Sequence, residues 1–310
     1  MRKPSVSFAK RLRIRFEYAA VLSLLRLLGF LPRPLALGLS QALTRVLCPL
    51  FRKLQWTARR NFELAMPLLG EKEVRALTRG VFRNLGRLLG EFSQLPKLRV
   101  ETISQVVVYD GFENYLESVR RGKGTLFLTA HFGSWELCPF AHALYGHPLK
   151  FVIRPIDNPL VDRLVTRYRT LSGNQIIEKK DSLKVILRAL KANESVGILI
   201  DQNTTMDAGV FADFFGVPAC TTSSLATIAL RTSATVVPGV LIWDEKLRKH
   251  RLHFEPPVEL VRSGDLKADI VVNTARFNRV LEELVRQYPD QWLWVHRRWK
   301  TRPPNEQPLY

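Results

Sequence analysis

The sequence predicts an α/β fold: a central, mostly parallel (mixed) sheet flanked by helices, behind an N-terminal helical region that associates with a membrane. Three observations predict it. From Val106 onward, short apolar runs of strand length alternate with stretches of helix length, the texture of βα units with parallel strands. Before Val106 the apolar residues recur at helical spacing. The chain of 310 residues is 46% apolar, enough for a substantial core, yet it carries a formal charge of +19. Much of that charge sits N-terminally, beside apolar segments.

Residues 1–51 form the first unit. Arg2, Lys3, Lys10, Arg11, Arg13 and Arg15 face only Glu17. Two apolar segments follow, Tyr18–Leu31 and Leu35–Phe51, interrupted by Arg26 and Arg45. Neither supplies the roughly 20 uninterrupted apolar residues of a comfortable spanning helix. No small-residue cleavage site closes either segment, so a removed signal peptide is not expected. An amphipathic or marginal membrane anchor fits, its basic residues held at an anionic cytoplasmic face. A pair of core helices with snorkelling arginines is the alternative.

Residues 52–303 are expected to form the main domain, helical over 52–105 and α/β over 106–303. In the helical part Arg75, Arg79, Arg83 and Arg87 recur every four residues, so they share a face, either solvated or held against lipid phosphates. Expected strands are Val106–Tyr109, Thr125–Thr129, Lys150–Ile153, Ser195–Ile200, Thr235–Leu241 and Arg251–Phe254. Expected helices are Phe112–Arg121, Trp135–Leu144, Pro159–Leu171, Ser182–Ala192, Ser223–Arg231 and Ile270–Gln287. Residues 304–310 read as a polar tail.

The stretch Gly124–Glu136 concentrates the chemistry. A buried-strand run ends at Ala130 and is followed by His131, then Gly133 and Ser134, then helical periodicity from Trp135. Such strand ends carry ligands and catalytic groups in open α/β sheets. Five residues separate His131 from Glu136, about 140° on an ideal helix, so the two cannot pair within one. They can pair if His131 precedes the helix and the chain turns at Gly133. A carboxylate on one imidazole nitrogen would fix the tautomer and support proton uptake on the other. A satisfied strand-end histidine beside a helix-terminal Glu is the plainer reading. Asp201 follows the apolar run Val196–Ile200, so it also sits at a predicted strand end.

His131-x4-Glu136 is the HX4E form of the HX4D/E signature of glycerolipid-type acyltransferases. Later blocks sharpen it: Arg154-Pro155; Asn158 and Asp162; Arg167-Tyr168-Arg169; Asp201-Gln202-Asn203; Gly209-Val210-Phe211; Asp213-Phe214-Phe215-Gly216; and Gln291 through Lys300. In order and spacing these resemble the late acyltransferases of lipid A biosynthesis, the lauroyl/myristoyl transferase family, from Tyr18 to about Pro303. The resemblance implies a glycerolipid-acyltransferase-like sheet and transfer of a fatty acyl group from an acyl carrier protein thioester to a hydroxyl of a lipid A precursor, at the cytoplasmic face of the inner membrane. It implies that His131 is the general base, Glu136 its orienting partner, Arg169 the essential arginine of the second block and Asp201 the acidic residue of the third. It implies no cofactor beyond the donor. Another lipid acceptor, such as a lysophospholipid, an ornithine lipid or a glycosylated inositol lipid, is the alternative within the same chemistry.

Substrate-binding roles are expected of Arg154, Gln202, Phe215 and Gly216. Arg154 offers a charge for phosphate, although Pro155 explains the pair equally well as a rigid turn. Phe211, Phe214 and Phe215 either line an acyl channel or fill the core, and Gly216 answers a backbone need. Trp292, Trp294, Arg297, Arg298 and Trp299 suit a membrane interface or a packed C-terminal element.

Composition sets the exclusions. Cys48, Cys138 and Cys220 are far apart and odd in number, and no CxxC or HExxH spacing occurs, so neither a disulfide framework nor a metal site is expected. Nothing marks Cys138 as a nucleophile. The basic balance calls for anionic partners: acyl carrier protein, the lipid A precursor and anionic inner-membrane lipids. Nucleic acid is the other class that a +19 charge admits, and no nucleic-acid motif accompanies it. A catalytically silent scaffold is disfavoured, because His131, Glu136, Arg169 and Asp201 are all present.

Overall fold

The computed structural model describes residues 7–178 and 182–310. Arg2 and Lys3 of the basic N-terminal run lie outside the described residues.

Four helices come first: α1 (Phe8–Phe30), α2 (Arg33–Leu47), α3 (Arg52–Ala65) and α4 (Glu71–Gln94). Ser7 caps α1, its Oγ accepting from the Lys10 N–H at 3.3 Å. Leu25 and Leu28 are the buried residues of α1, near its C-terminal end, whereas Phe8, Leu12, Phe16, Leu27 and Phe30 are exposed. Exposed apolar side chains continue through Leu35, Leu39, Val46, Leu50, Phe51, Leu54 and Trp56. That is far more apolar surface than scattered exposed residues leave, and it marks an interaction face. Among the described residues no single helix is long and apolar enough to cross a membrane. Residues Arg33–Leu50 and Arg52–Ala65 reach that length and composition only as a pair bent by 91°.

A buried ionic cluster fastens α2 to the rest. Glu91 of α4 is fully buried and accepts from Arg33 (3.0 and 2.5 Å) and from His250 Nε2 (2.8 Å). Burial alone would raise the Glu91 pKa, but His250 and Arg33 outweigh it and hold the carboxyl below its ordinary value. Burial lowers the His250 pKa in spite of Glu91 beside it, and Arg33 is the permanent cation of the cluster.

The α/β part contains β1 (Val107–Asp110), α5 (Phe112–Arg120), β2 (Thr125–Thr129), α6 (Leu137–Leu144), β3 (Leu149–Ile153), α7 (Pro159–Thr170), β4 (Gln175–Glu178), α8 (Ser182–Lys191) and β5 (Ser195–Leu199). There follow β6 (Gly209–Phe214), β7 (Val217–Thr222), α9 (Ser224–Arg231), β8 (Thr235–Asp244), β9 (Lys249–Phe254) and α10 (Leu266–Gln287). All six expected strands and six expected helices are present, and β4, β6 and β7 are additional. The main sheet runs β1-β9-β8-β2-β5-β3-β4, with β8–β9 its antiparallel pair. A separate hairpin pairs β6 with β7.

Strand alternation divides the core in two. Leu126, Leu128, Val196, Ile198, Val236 and Val240 face the cluster built with α8, α9, α10 and the C-terminal tryptophans. Phe127, Phe151, Val237, Leu241, Leu252 and Phe254 face the other way, toward α5 and α6. A cavity opens on this second face.

The C-terminal segment is packed inside, not laid at a membrane interface. Trp292, Trp294, Trp299 and Arg298 are fully buried. Arg298 donates to the Cys220 carbonyl (3.1 Å) and to Thr221 Oγ1 (2.6 Å), which offsets part of the penalty of burying a cation, although its Nε has no partner among the described residues. Residues 304–310 are not a free tail: the Arg60 guanidinium donates to the Leu309 carbonyl, and Tyr310 hydrogen-bonds Asn61.

Candidate active site

The site forms at the C-terminal ends of β2 and β5, two neighbouring parallel strands. Their register pairs Thr129 with Leu199. Two residues further along each strand stand His131 and Asp201, so the register itself brings them side by side. His131 Nδ1 lies 2.9 Å from Asp201 Oδ1. Asp201 Oδ2 accepts the His131 backbone N–H at 2.9 Å and the Trp292 indole N–H at 2.9 Å. Asp201 is 1% exposed, so this carboxylate is fixed from every side.

The electrostatics follow. Burial opposes a charge on His131, but Asp201, helped by Glu136 and opposed by Arg169, outweighs it and raises the imidazole pKa above its ordinary value. Burial would raise the Asp201 pKa; the imidazole and the hydrogen bonds from the His131 backbone and Trp292 overcome it and hold the carboxyl low. An ionised Asp201 accepts from Nδ1–H, which leaves the Nε2 lone pair on the cavity side. Gln202 Nε2 sits 3.3 Å from that nitrogen.

Glu136 does not pair with His131. It occupies the N-cap position of α6, one residue before the helix begins at Leu137, and its carboxylate grips Arg169 of α7. The bond from Arg169 Nε is 2.7 Å and that from Nη2 is 2.5 Å, a bidentate geometry that only arginine offers. Burial alone would lower the Arg169 pKa; Glu136 more than compensates and raises it. Nη1 has no hydrogen-bond partner among the described residues. The expected His/Glu unit is thus two units, His131–Asp201 and Arg169–Glu136. The reason is backbone direction: the chain turns at Gly133 (φ +55°), and Glu136 then faces α7.

That turn is tied to the C-terminal segment. The Gly133 N–H donates to the Gln291 carbonyl (2.7 Å) and the Leu293 N–H to the His131 carbonyl (3.1 Å). A Cβ on Gly133 would lie 1.7 Å from the Leu241 carbonyl oxygen, so glycine is obligatory there.

A cavity of about 350 Å³ runs from this cluster into the core. His131, Glu136, Arg154, Arg169 and Gln202 line its polar part; Phe127, Leu149, Phe151, Leu252 and Phe254 line its apolar part. Gly197 and Gly239 contribute no side chains, which leaves the space open. His142 also lines it, and burial pushes its pKa down to about 3, so it is neutral. Five charged or polar groups at one end of an apolar cavity suit an amphiphile whose reacting atom is at its polar end.

Phe215 and Gly216 stand apart. They form the two-residue turn of the β6–β7 hairpin with φ +56° and +71°. Phe215 is buried against Phe214 and Trp294 and does not line the cavity. Phe214 likewise fills the core against Trp292 and Trp299. Trp292, which the sequence allowed at a membrane interface or in a packed C-terminal element, is packed and reaches the site; its indole partner could be named only once the chain had folded.

Residues 5–301 match the family described as bacterial lipid A biosynthesis acyltransferase. The chain belongs to this family. Among its relatives, the Escherichia coli K12 lipid A biosynthesis palmitoleoyltransferase is 28% identical over 284 residues, 90% of each chain. The lipid A biosynthesis lauroyltransferase of the same strain is 29% identical over 277 residues, 88% of each chain. Its myristoyltransferase is 24% identical over 246 residues, 79% of this chain and 75% of the relative. The chain is therefore an enzyme, a late lipid A acyltransferase. In this acyltransferase the HX4E pair marks both ends of the loop that separates the two ionic units.

Proposed function

We propose that this acyltransferase moves a fatty acyl group from acyl carrier protein to a hydroxyl of a lipid A precursor, on the cytoplasmic side of the inner membrane. The observation that carries the reading is a histidine base, oriented by a buried aspartate, at the polar mouth of an apolar cavity. The acyl chain lies along Phe127, Phe151, Leu252 and Phe254, with its thioester carbonyl at the polar end. Gln202 swings off Nε2, and the acceptor hydroxyl takes its place.

His131 Nε2 then removes the hydroxyl proton as the oxygen attacks the thioester carbon. The imidazolium is stabilised by Asp201 across Nδ1. The tetrahedral oxyanion is met by Arg169, whose guanidinium Glu136 holds in place, so the charge is aimed before it is needed. Collapse breaks the C–S bond, and the imidazolium returns its proton to the leaving thiolate. Proton and electron pairs balance without a covalent enzyme intermediate, and the buried thiol of Cys138, pushed up to about 12 by burial, has no part.

Acyl carrier protein and phosphorylated lipids are anionic, and the +19 chain attracts both. The exposed Phe and Leu side chains of α1 and α2, with Lys10, Arg11, Arg13 and Arg15, serve as the membrane-facing surface. Purified enzyme, acyl carrier protein thioester and a lipid A precursor test the reading. His131→Ala is expected to lower transfer by about 10²–10⁴-fold. Full transfer by a folded His131→Ala protein overturns it.

A further inference from the structure

Arg167, Tyr168 and Arg169 are consecutive on α7, yet the function above uses only Arg169. On a helix, residues two apart point about 200° from one another. Arg169 accordingly faces the catalytic cavity, and Arg167 faces a second concavity. This groove, of about 540 Å³, lies between α1, α6, α7 and the segment 95–101. It does not share its walls with the first: Cys138 and His142 of α6 line the catalytic cavity, whereas Phe140 and Leu144 line the groove.

The groove combines two chemistries. Its floor is hydrocarbon, with Leu95, Leu98 and Phe140 buried. Its lining also carries Arg26, Arg99 and Arg167, against one carboxylate, Glu101. Arg99 is tied to the Pro96 and Leu98 carbonyls through Nη1. Arg26 and Arg167 have no carboxylate partner among the described residues. Arg26 stands on α1 beside exposed Leu27, with exposed Phe30 one turn on. The groove therefore opens along the apolar surface that meets the bilayer in the reading above.

We propose that this groove binds one anionic bilayer phospholipid as a non-reacting ligand, its chains on Leu95, Leu98 and Phe140 and its phosphate clamped by Arg26, Arg99 and Arg167. Free phosphate would use the arginines and leave the hydrocarbon floor wet. A neutral lipid would do the reverse. An acyl chain with a phosphate matches both, and unpaired arginines are the side chains suited to bidentate phosphate contact. The ligand would join α1 to α6 and α7, and so tie the membrane-facing helix to the wall that carries Arg169.

Binding is measured on the full chain in neutral maltoside detergent, by titration with soluble dihexanoyl phosphatidylglycerol, dihexanoyl phosphatidylcholine and inorganic phosphate. The readout does not require acyl transfer, so it stands or falls independently of the reaction proposed above. One phosphatidylglycerol is expected to bind about ten-fold or more tightly than phosphatidylcholine, and inorganic phosphate weakly. The triple variant Arg26→Gln/Arg99→Gln/Arg167→Gln alters exposed side chains and is expected to keep its thermal midpoint while losing that preference. Leu164→Trp, which fills the groove and leaves all three charges, is expected to lose binding of both lipids. Equal binding of the two lipids, or a preference that survives the triple variant, overturns the proposal. So does displacement of phosphatidylglycerol by a lipid A precursor at its kinetic KM, which would assign the groove to the acceptor.

Discussion

Asp201 holds His131 at two points: Oδ1 lies 2.9 Å from the imidazole Nδ1, and Oδ2 accepts the backbone N–H of the same residue at 2.9 Å. One carboxylate thus fixes both the ring and the chain beneath it. The tautomer, the ring orientation and the basicity of Nε2 follow from that one contact.

The pH–rate profile should report it. In the proposed mechanism transfer requires neutral imidazole, and the His131 pKa is raised above its ordinary 6.5. The rate should therefore climb with pH through a midpoint above 6.5. In Asp201→Asn the charge that raises the pKa is gone, so the midpoint should move to lower pH while the plateau rate falls. An unmoved midpoint would sink the assignment of Asp201 as the orienting partner. Stability gives a second check. The raised imidazole pKa contributes stability below 6.5 that is lost as pH rises through the folded value. The lowered carboxyl pKa contributes above 3.8 and is lost as pH falls through its folded value. The stability gap between wild type and Asp201→Asn should be widest between those two values.

Arg169 and Glu136 should behave as a unit. Their side chains are only 17% and 16% exposed, so removing one leaves the other charged and poorly solvated. Arg169→Ala or Glu136→Ala alone should cost up to about 3 kcal/mol of stability, and the double variant less than the sum of the two. Arg169→Lys should fail to restore transfer, since an ammonium cannot span both oxygens. Urea unfolding and a double-mutant cycle on the rate make the measurement; strict additivity would refute the pairing.

Gly197 should control the length of chain accepted. A Cβ built there meets Leu149 at 3.6 Å and Phe151 at 3.8 Å, ordinary contact distances, so a side chain fits but occupies cavity. Gly197→Val should fold, retain transfer from short-chain thioesters and lose it from long-chain ones. A uniform fall for all donors in a competition assay would show that the chain lies elsewhere.

Two left-handed glycines should part company in thermal unfolding. Gly133→Ala drives a Cβ to 1.7 Å from a backbone carbonyl, and the cost should exceed about 4 kcal/mol, with little folded protein recovered. Gly216→Ala meets nothing within 4 Å and pays only for its backbone conformation, about 1–2 kcal/mol. Equal losses at the two sites would contradict the packing described for the His131 loop.

Much of this architecture was legible in the chain. The strand ending before His131 and that ending before Asp201 were both visible as apolar runs closed by a polar residue. That β2 and β5 are neighbours was not, since strand order is set by crossovers that leave no local mark. Without it, the nearest carboxylate in sequence, Glu136, stood in for the nearest in space, Asp201. The hairpin β6–β7 escaped for a different reason. Its turn, Phe215-Gly216, places a bulky aromatic at φ +56°, where Asn or Gly is the usual signal. The Trp292–Trp299 cluster has a composition that suits an interface and a core alike, and only packing against Phe214 and Phe62 decides between them.

The anchoring of the His131 loop by residues 291–293 has a consequence in time as well as space. A ribosome makes His131, then Asp201, and only much later Trp292. Until residues 291–293 have emerged and docked, the loop lacks those two backbone hydrogen bonds and Asp201 lacks its indole donor. In the mechanism proposed above, the base is therefore fully oriented only once residues 291–293 have docked, however early His131 and Asp201 emerge.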